Sequence, residues 1–245
     1  MVWLYSKTFG YFVDSILPIS EYIIQKISHF NRPFHKLPIL GDFSNSPESE
    51  SEKQNSIVYC VSADYYRVII PIIEAYIYYR KEVNNPYEFV LILGGTERFV
   101  NYIFNYLKEH KYDEYVTIKQ KIPYAELIKT YSSARALLIP LDPQSEQDKA
   151  RFSQKIAEYL STGTPVISNP VGEIPVYFKD RENIILCDYS YEGFANVFSW
   201  VTEHKSDAKV IGRNGFETGF RVFNYIIEGK KLHDFLIITG DYKSI

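Results

Sequence analysis

The chain has 245 residues, 46% hydrophobic and 23% charged, the balance of a folded globular protein rather than a disordered or fibrous one. A net charge of −3 argues against a general nucleic-acid binder, which carries a basic excess. No stretch reaches the roughly 18 uncharged apolar residues of a membrane-spanning helix, so no membrane span is expected. The N-terminal apolar run is interrupted by Lys7 and Asp14 and lacks a small-residue cleavage site, unlike a secretory signal. Cys60 and Cys187 have no C-x-x-C or histidine partner, which argues against a metal site and fits a reducing, cytoplasmic setting. Peripheral association with a membrane surface stays open.

Along the chain, Ser15-Ile16-Leu17-Pro18-Ile19 is an apolar run expected as a strand, followed by Ser20 as N-cap of a helix to about Ile27. Residues 41–55 are rich in serine and glutamate and read as an exposed linker. From Ser56 onward strands alternate with helices. Strands are expected at Ile57–Val61, Phe89–Leu93, Val116–Ile118, Ala136–Ile139, Val166–Ser168 and Ile184–Leu186. Helical stripes fall at Ile69/Ile72/Ile73/Tyr76, at Val100/Ile103/Phe104/Leu107 and at Phe194/Val197/Phe198/Val201, with further helices near 124–133, 151–162 and 174–179. Gly94-Gly95 reads as a strand-to-helix turn, because no third glycine follows at dinucleotide-fingerprint spacing.

This alternation predicts an α/β fold, a doubly wound parallel sheet with helices on both faces. Ligands of such sheets bind beyond the carboxyl ends of the strands. The richest stretch there is Arg151 to Ser168. Phe152, Ile156, Tyr159 and Leu160 form a helical stripe, Gly163 ends the helix, and Pro165 restarts the chain in extended form. The helix N-terminus, expected near Arg151, offers free backbone N–H groups beside Ser153 and Lys155 for an anionic group. Glu158 lies one turn on, where a carboxylate accepts hydrogen bonds from sugar hydroxyls.

From about Phe12 to Leu236 the chain resembles retaining GT-B glycosyltransferases of the glycosyl transferases group 1 type. Five segments carry the resemblance: Val13 to Tyr22, Lys36 to Asp42, Tyr131 to Pro140, Lys155-Ile156-Ala157-Glu158-Tyr159, and Gly172-Glu173-Ile174-Pro175. The resemblance implies a Rossmann-like donor domain at 56–245, a linker at 37–55 and the end of an acceptor domain at 1–36. It implies a UDP- or GDP-linked sugar donor, no further cofactor, and transfer to a glycan or glycolipid acceptor. The implied donor contacts are Arg67 and Lys155 on the diphosphate, Ser153 and Gln154 at the helix start, Glu158 on the ribose, and main-chain groups of Ile122 and Pro123 on the nucleobase. No residue is assigned to catalysis.

Three departures qualify the resemblance. The first glutamate of the family's pair is Ala150 here. Ser62 stands where the family has arginine after its first donor-domain strand. Most of the acceptor half is absent, so the chain is a fragment or pairs with a separate chain. The apolar segment 1–36 is then expected to self-associate, to dock on its own donor domain, or to bind that separate chain. The alternative is a non-catalytic nucleotide-sugar-binding or scaffolding module of the same fold. A related UDP-sugar epimerase would need acidic and histidine residues not found here.

Overall fold

The computed structural model describes residues 7–44 and 53–239. Six strands form one all-parallel sheet: β1 (Ser56–Ser62), β2 (Glu88–Gly94), β3 (Val116–Lys119), β4 (Ala136–Ile139), β5 (Val166–Ser168) and β6 (Ile185–Leu186). The spatial order is β3-β2-β1-β4-β5-β6, the doubly wound pattern with its reversal between β1 and β4. β1 pairs along its whole length with β2, from Ser56 against Glu88 to Ser62 against Gly94. Every strand lies within two residues of its expected bounds. Continuous apolar runs such as Phe89-Val90-Leu91-Ile92-Leu93 leave no alternative to burial on both faces.

Two cores cover the two faces. On one, α2 (Tyr66–Glu82), α3 (Glu97–Glu109) and α8 (Tyr191–Glu203) bury Ile69, Ile73, Ile103, Phe194 and Phe198. On the other, α4 (Tyr124–Ser133), α6 (Gln154–Ser161) and α7 (Ile174–Tyr177) bury Tyr131, Ile156, Tyr159 and Ile174. Between β4 and α6 lies the short α5 (Glu146–Ala150). The long α9 (Lys205–Phe223) runs on to α10 (Tyr225–Thr239), whose Ile226, Ile237 and Ile238 are exposed.

The N-terminal segment departs from expectation in two ways. Ser20 does cap α1 (Glu21–Ile27), its Oγ accepting from Ile23 N at 3.2 Å. The run before it forms no strand, only one parallel bridge between Ile16 and Phe34, because no neighbouring strand is there to extend it. The segment also docks on the rest of the chain. Ser20 Oγ donates to Ala150 O at 2.7 Å, Glu21 N donates to Glu173 Oε1 at 2.6 Å, and Lys36 pairs with Glu21 and Glu173. Docking on the sheet-bearing part of the chain is one of the three fates expected for it.

The segment after residue 40 is not wholly an exposed linker either. Gly41 N donates to Phe223 O at 2.8 Å, and Phe43 is 2% exposed, packed against Phe216 and Gly219. The one aromatic residue in a polar run finds an apolar slot where Gly219 has no side chain. Expected linker residues 45–52 lie outside the described residues, while Lys53 near the linker's end is tied to Ser132 O and Thr164 Oγ1.

Candidate functional site

A cleft of about 230 Å³ opens at the carboxyl ends of β1 and β4. Its floor is Tyr59 to Ser62 with Leu138 to Pro140; its walls are Tyr65, Val68, Arg151, Ser153 and Lys155. This is the edge where the strand order reverses.

The helix that enters the cleft begins later than expected. α6 starts at Gln154 with Ser153 as N-cap; Arg151 is instead the C-cap of α5, in extended conformation at φ −82° and ψ 153°. Phe152 fitted the helical stripe because it is buried, but it is buried from an extended segment, stacked on Tyr177 and edge-on to Phe223. The Ser153 side chain makes no capping hydrogen bond; of the first-turn N–H groups, Ile156 N already donates to Ser153 O at 3.0 Å, while those of Gln154 and Lys155 lie ahead of the helix's own bonding.

Arg151 is the residue that sequence reasoning missed as a side chain in the site. Its Nη2 lies 2.6 Å from Asp148 Oδ1, Nη1 donates to Tyr65 Oη at 3.1 Å, and the guanidinium sits over the Tyr65 ring. Asp148 is held in turn, its other oxygen accepting from Asp142 N at 2.9 Å. Arg151 Nε is buried with no hydrogen-bond partner among the described residues. An unpartnered charged donor beside a cleft is a standing invitation to an anionic ligand. The signal in the sequence was an arginine between two short helices at the carboxyl edge of a strand.

The other expected site residues divide. Ser153 and Lys155 line the cleft. Gln154 turns away, its Nε2 donating to Leu40 O. Arg67 is exposed outside the cleft, its Nε donating to Tyr66 Oη at 3.2 Å. Ile122 is half-buried against the second core, and Pro123 is the exposed N-cap of α4; neither lines the cleft. Glu158 is half-buried, with no hydrogen bond to its carboxylate among the described residues. Burial raises its pKa, and the neighbouring Lys155 pulls it back down.

Ser62, in the position of the family's arginine, is tied up. Its Oγ donates to Asp64 Oδ2 at 2.5 Å, and Asp64 also accepts from Thr96 N and Oγ1. Hydrogen bonds from Ser62 first, then Thr96, hold the Asp64 carboxyl below its usual range. Gly95, at φ +101°, lets the two loops close, since a Cβ there would stand 2.4 Å from Ser62 Oγ. On the far side Gly172, at φ +59°, brings its loop against the Asp148 and Lys149 carbonyls. Next to it Glu173 is buried and paired with Lys36. Burial opposes the Lys36 charge, but hydrogen bonds to Glu21, Tyr177 and Glu173 outweigh it and raise its pKa.

A doubly wound sheet with a cationic cleft at its switch point defines a Rossmann-like α/β domain in architecture. More particularly, the chain belongs to the Glycosyl transferase-like family, whose model matches residues 81–226. No curated protein matches it in sequence. Among solved structures it is similar to Anabaena Alr3699/HepE in complex with UDP and glucose, at TM-score 0.79 and 10% identity, covering 97% of this chain and 66% of that one. It is also similar to sucrose-phosphate synthase from Thermosynechococcus elongatus, at TM-score 0.74 and 17% identity, covering 93% and 59%. The pneumococcal O-GlcNAc transferase GtfA, in complex with UDP and GlcNAc, matches at TM-score 0.70 and 15% identity, covering 97% and 48%. The fold is thus that of one half of a GT-B enzyme, and the chain spans about half to two-thirds of the length of these structures. Among the described residues no helix is long and apolar enough to cross a membrane.

Proposed function

We propose that this chain is the donor-binding half of a glycosyltransferase using a UDP- or GDP-linked sugar. The observation that carries the reading is the convergence of Arg151, Ser153 and Lys155 in one cleft at the sheet's switch point. The diphosphate sits against the first turn of α6, with Lys155 and Arg151 as its cations. These groups stabilise the negative charge that builds on the departing diphosphate. Glu158, one turn further, accepts from the ribose hydroxyls, and the main chain at Ile122 and Pro123 meets the base. Arg67 reaches the diphosphate only by leaving Tyr66. UDP is favoured over GDP by the UDP bound in HepE and GtfA.

The acceptor, a glycan or glycolipid, is held by a second half not contained in this chain. The exposed Phe12, Phe34, Ile237 and Ile238 are candidate contacts for it. The second reading, a non-catalytic module, is favoured by Ser62, which is bonded to Asp64 rather than free for phosphate. Calorimetry with UDP, GDP and ADP tests the primary reading. UDP or GDP should bind and ADP should not; absence of binding by both UDP and GDP at millimolar concentration overturns it. Binding without donor hydrolysis or transfer, in the presence of any acceptor half, supports the second reading.

A further inference from the structure

A second, smaller cavity of about 30 Å³ lies at the opposite end of the sheet. Lys53 precedes β1, Arg135 precedes β4, and the Gly163–Pro165 loop precedes β5, so the cavity sits at the amino ends of the strands. Lys205 and Lys209, one turn apart at the start of α9, close it. The loop and the helix are in intimate contact, since a Cβ on Gly212 would stand 2.4 Å from Gly163 O.

Four cations therefore surround one cavity, and among the described residues none has a carboxylate within ion-pair distance. Lys53 is anchored in its wall, Nζ donating to Ser132 O at 2.5 Å and Thr164 Oγ1 at 3.0 Å, with its third hydrogen left over. Each placement is unfavourable by itself. Like charges four apart on a helix repel. Lys205 stands in the first turn, where the helix dipole is already positive. Burial, then Arg135 and Lys209, push the Lys53 pKa down to about 8. A solvated lysine face spreads its charges outward, whereas here Lys53 and Arg135 are half-buried and all four cations border one cavity. A bound dianion relieves all these repulsions together.

We propose that this cavity binds a phosphate group, free or on an anionic lipid headgroup. At about 30 Å³ it is too small for a nucleotide. It is separate from the donor cleft and independent of what that cleft binds.

The test uses the full chain, titrated with inorganic phosphate and followed by calorimetry, beside two variants. Arg135→Gln with Lys209→Gln should weaken phosphate at least about tenfold, the effect of losing charge-assisted bonds. All are compared in an Arg151→Gln background, which removes phosphate held by the cleft at the other end of the sheet and should leave the cavity's own binding in place. Lys53 is kept, because its hydrogen bonds hold two loops. In parallel, co-sedimentation with phosphatidylcholine vesicles containing phosphatidic acid separates the two sources. Vesicle binding lost in the double variant assigns the headgroup; phosphate binding without vesicle binding assigns the free anion. Either supports the site. Binding of neither probe, undiminished binding by the double variant, or loss of all phosphate binding with Arg151→Gln alone overturns it.

Discussion

Asp148 holds Arg151 at the mouth of the cleft at the sheet's switch point, Oδ1 to Nη2, at 2.6 Å across one turn of chain. The carboxylate is nearly buried and the guanidinium about one-third exposed, so the pair aims a cation while leaving Nε unsatisfied. That arrangement has the form of a preorganised anion contact.

Arg151→Gln and Lys155→Ala should each weaken UDP binding by roughly 1.5–3 kcal/mol, the worth of a hydrogen bond to a charged group. Arg67→Ala, outside the cleft, should change it by less than about 0.5 kcal/mol if Arg67 stays on Tyr66. Calorimetry at low salt checks all three, and an Arg67 loss as large as that of Lys155 would mean that it swings in. Asp148→Ala should also destabilise the fold, by about 2–3 kcal/mol in urea, less than a fully buried pair because Arg151 is partly solvated.

Glu158 should trade stability for recognition. Its folded pKa is raised above the unfolded value by burial, so folding favours the protonated form. The stability this gives is complete below the unfolded pKa and is lost as pH rises through the folded one. Glu158→Gln is therefore expected to raise the melting temperature at neutral pH, with the gain vanishing toward pH 4. The same substitution should cost UDP about 1 kcal/mol, and 2′-deoxy-UDP less, since both changes remove one interaction. Additive losses would make Glu158 purely structural.

Lys53 obeys the opposite sign. Its folded pKa, near 8, lies below the ordinary 10.5, so the unfolded state binds more protons between those values and stability rises with pH there. Lys53→Met loses the bonds to Ser132 O and Thr164 Oγ1, but its stability relative to the parent should be highest below pH 8 and fall by pH 10.5. Urea unfolding at both ends of that window reads the difference; a constant gap would show that the lysine is not strained.

Phe43→Ala should destabilise the chain by about 3–5 kcal/mol, the cost of emptying a buried aromatic site. An exposed linker residue would cost under about 0.5 kcal/mol. Thermal unfolding decides between a folded and an unattached segment at this position.

The strands were legible because runs such as Phe89 to Leu93 admit one environment, and Ser20 because a serine before an apolar helical run has one good use for its hydroxyl. The start of α6 was not. Phe152 has the right spacing for a helical stripe, and periodicity does not distinguish burial by a helix face from burial by Tyr177 and Phe223, which arrive from distant parts of the chain. Arg151 was hidden for a related reason: an aspartate three residues before an arginine is an ordinary surface pair until the fold closes over it. Phe43 illustrates the converse, a single aromatic whose polar neighbours outvoted it. That Ser153 and Lys155 border the cleft was legible because a helix start after a buried strand sits at the sheet's carboxyl edge.

The contact between Phe43 and Gly219 has a practical corollary for where this protein can be cut. The ring fills the space a Cβ at Gly219 would need, at 2.6 Å. A sheet-bearing domain expressed from Ser56 would carry that groove empty, with Phe216 and Leu160 at its edge. Cutting before Leu37 would in addition strip Lys36 and the Glu21 amide from the buried Glu173. The covalent joint and the folding boundary are therefore different places. A clean excision point lies upstream of Ile16, ahead of everything that the sheet-bearing part has recruited to complete itself.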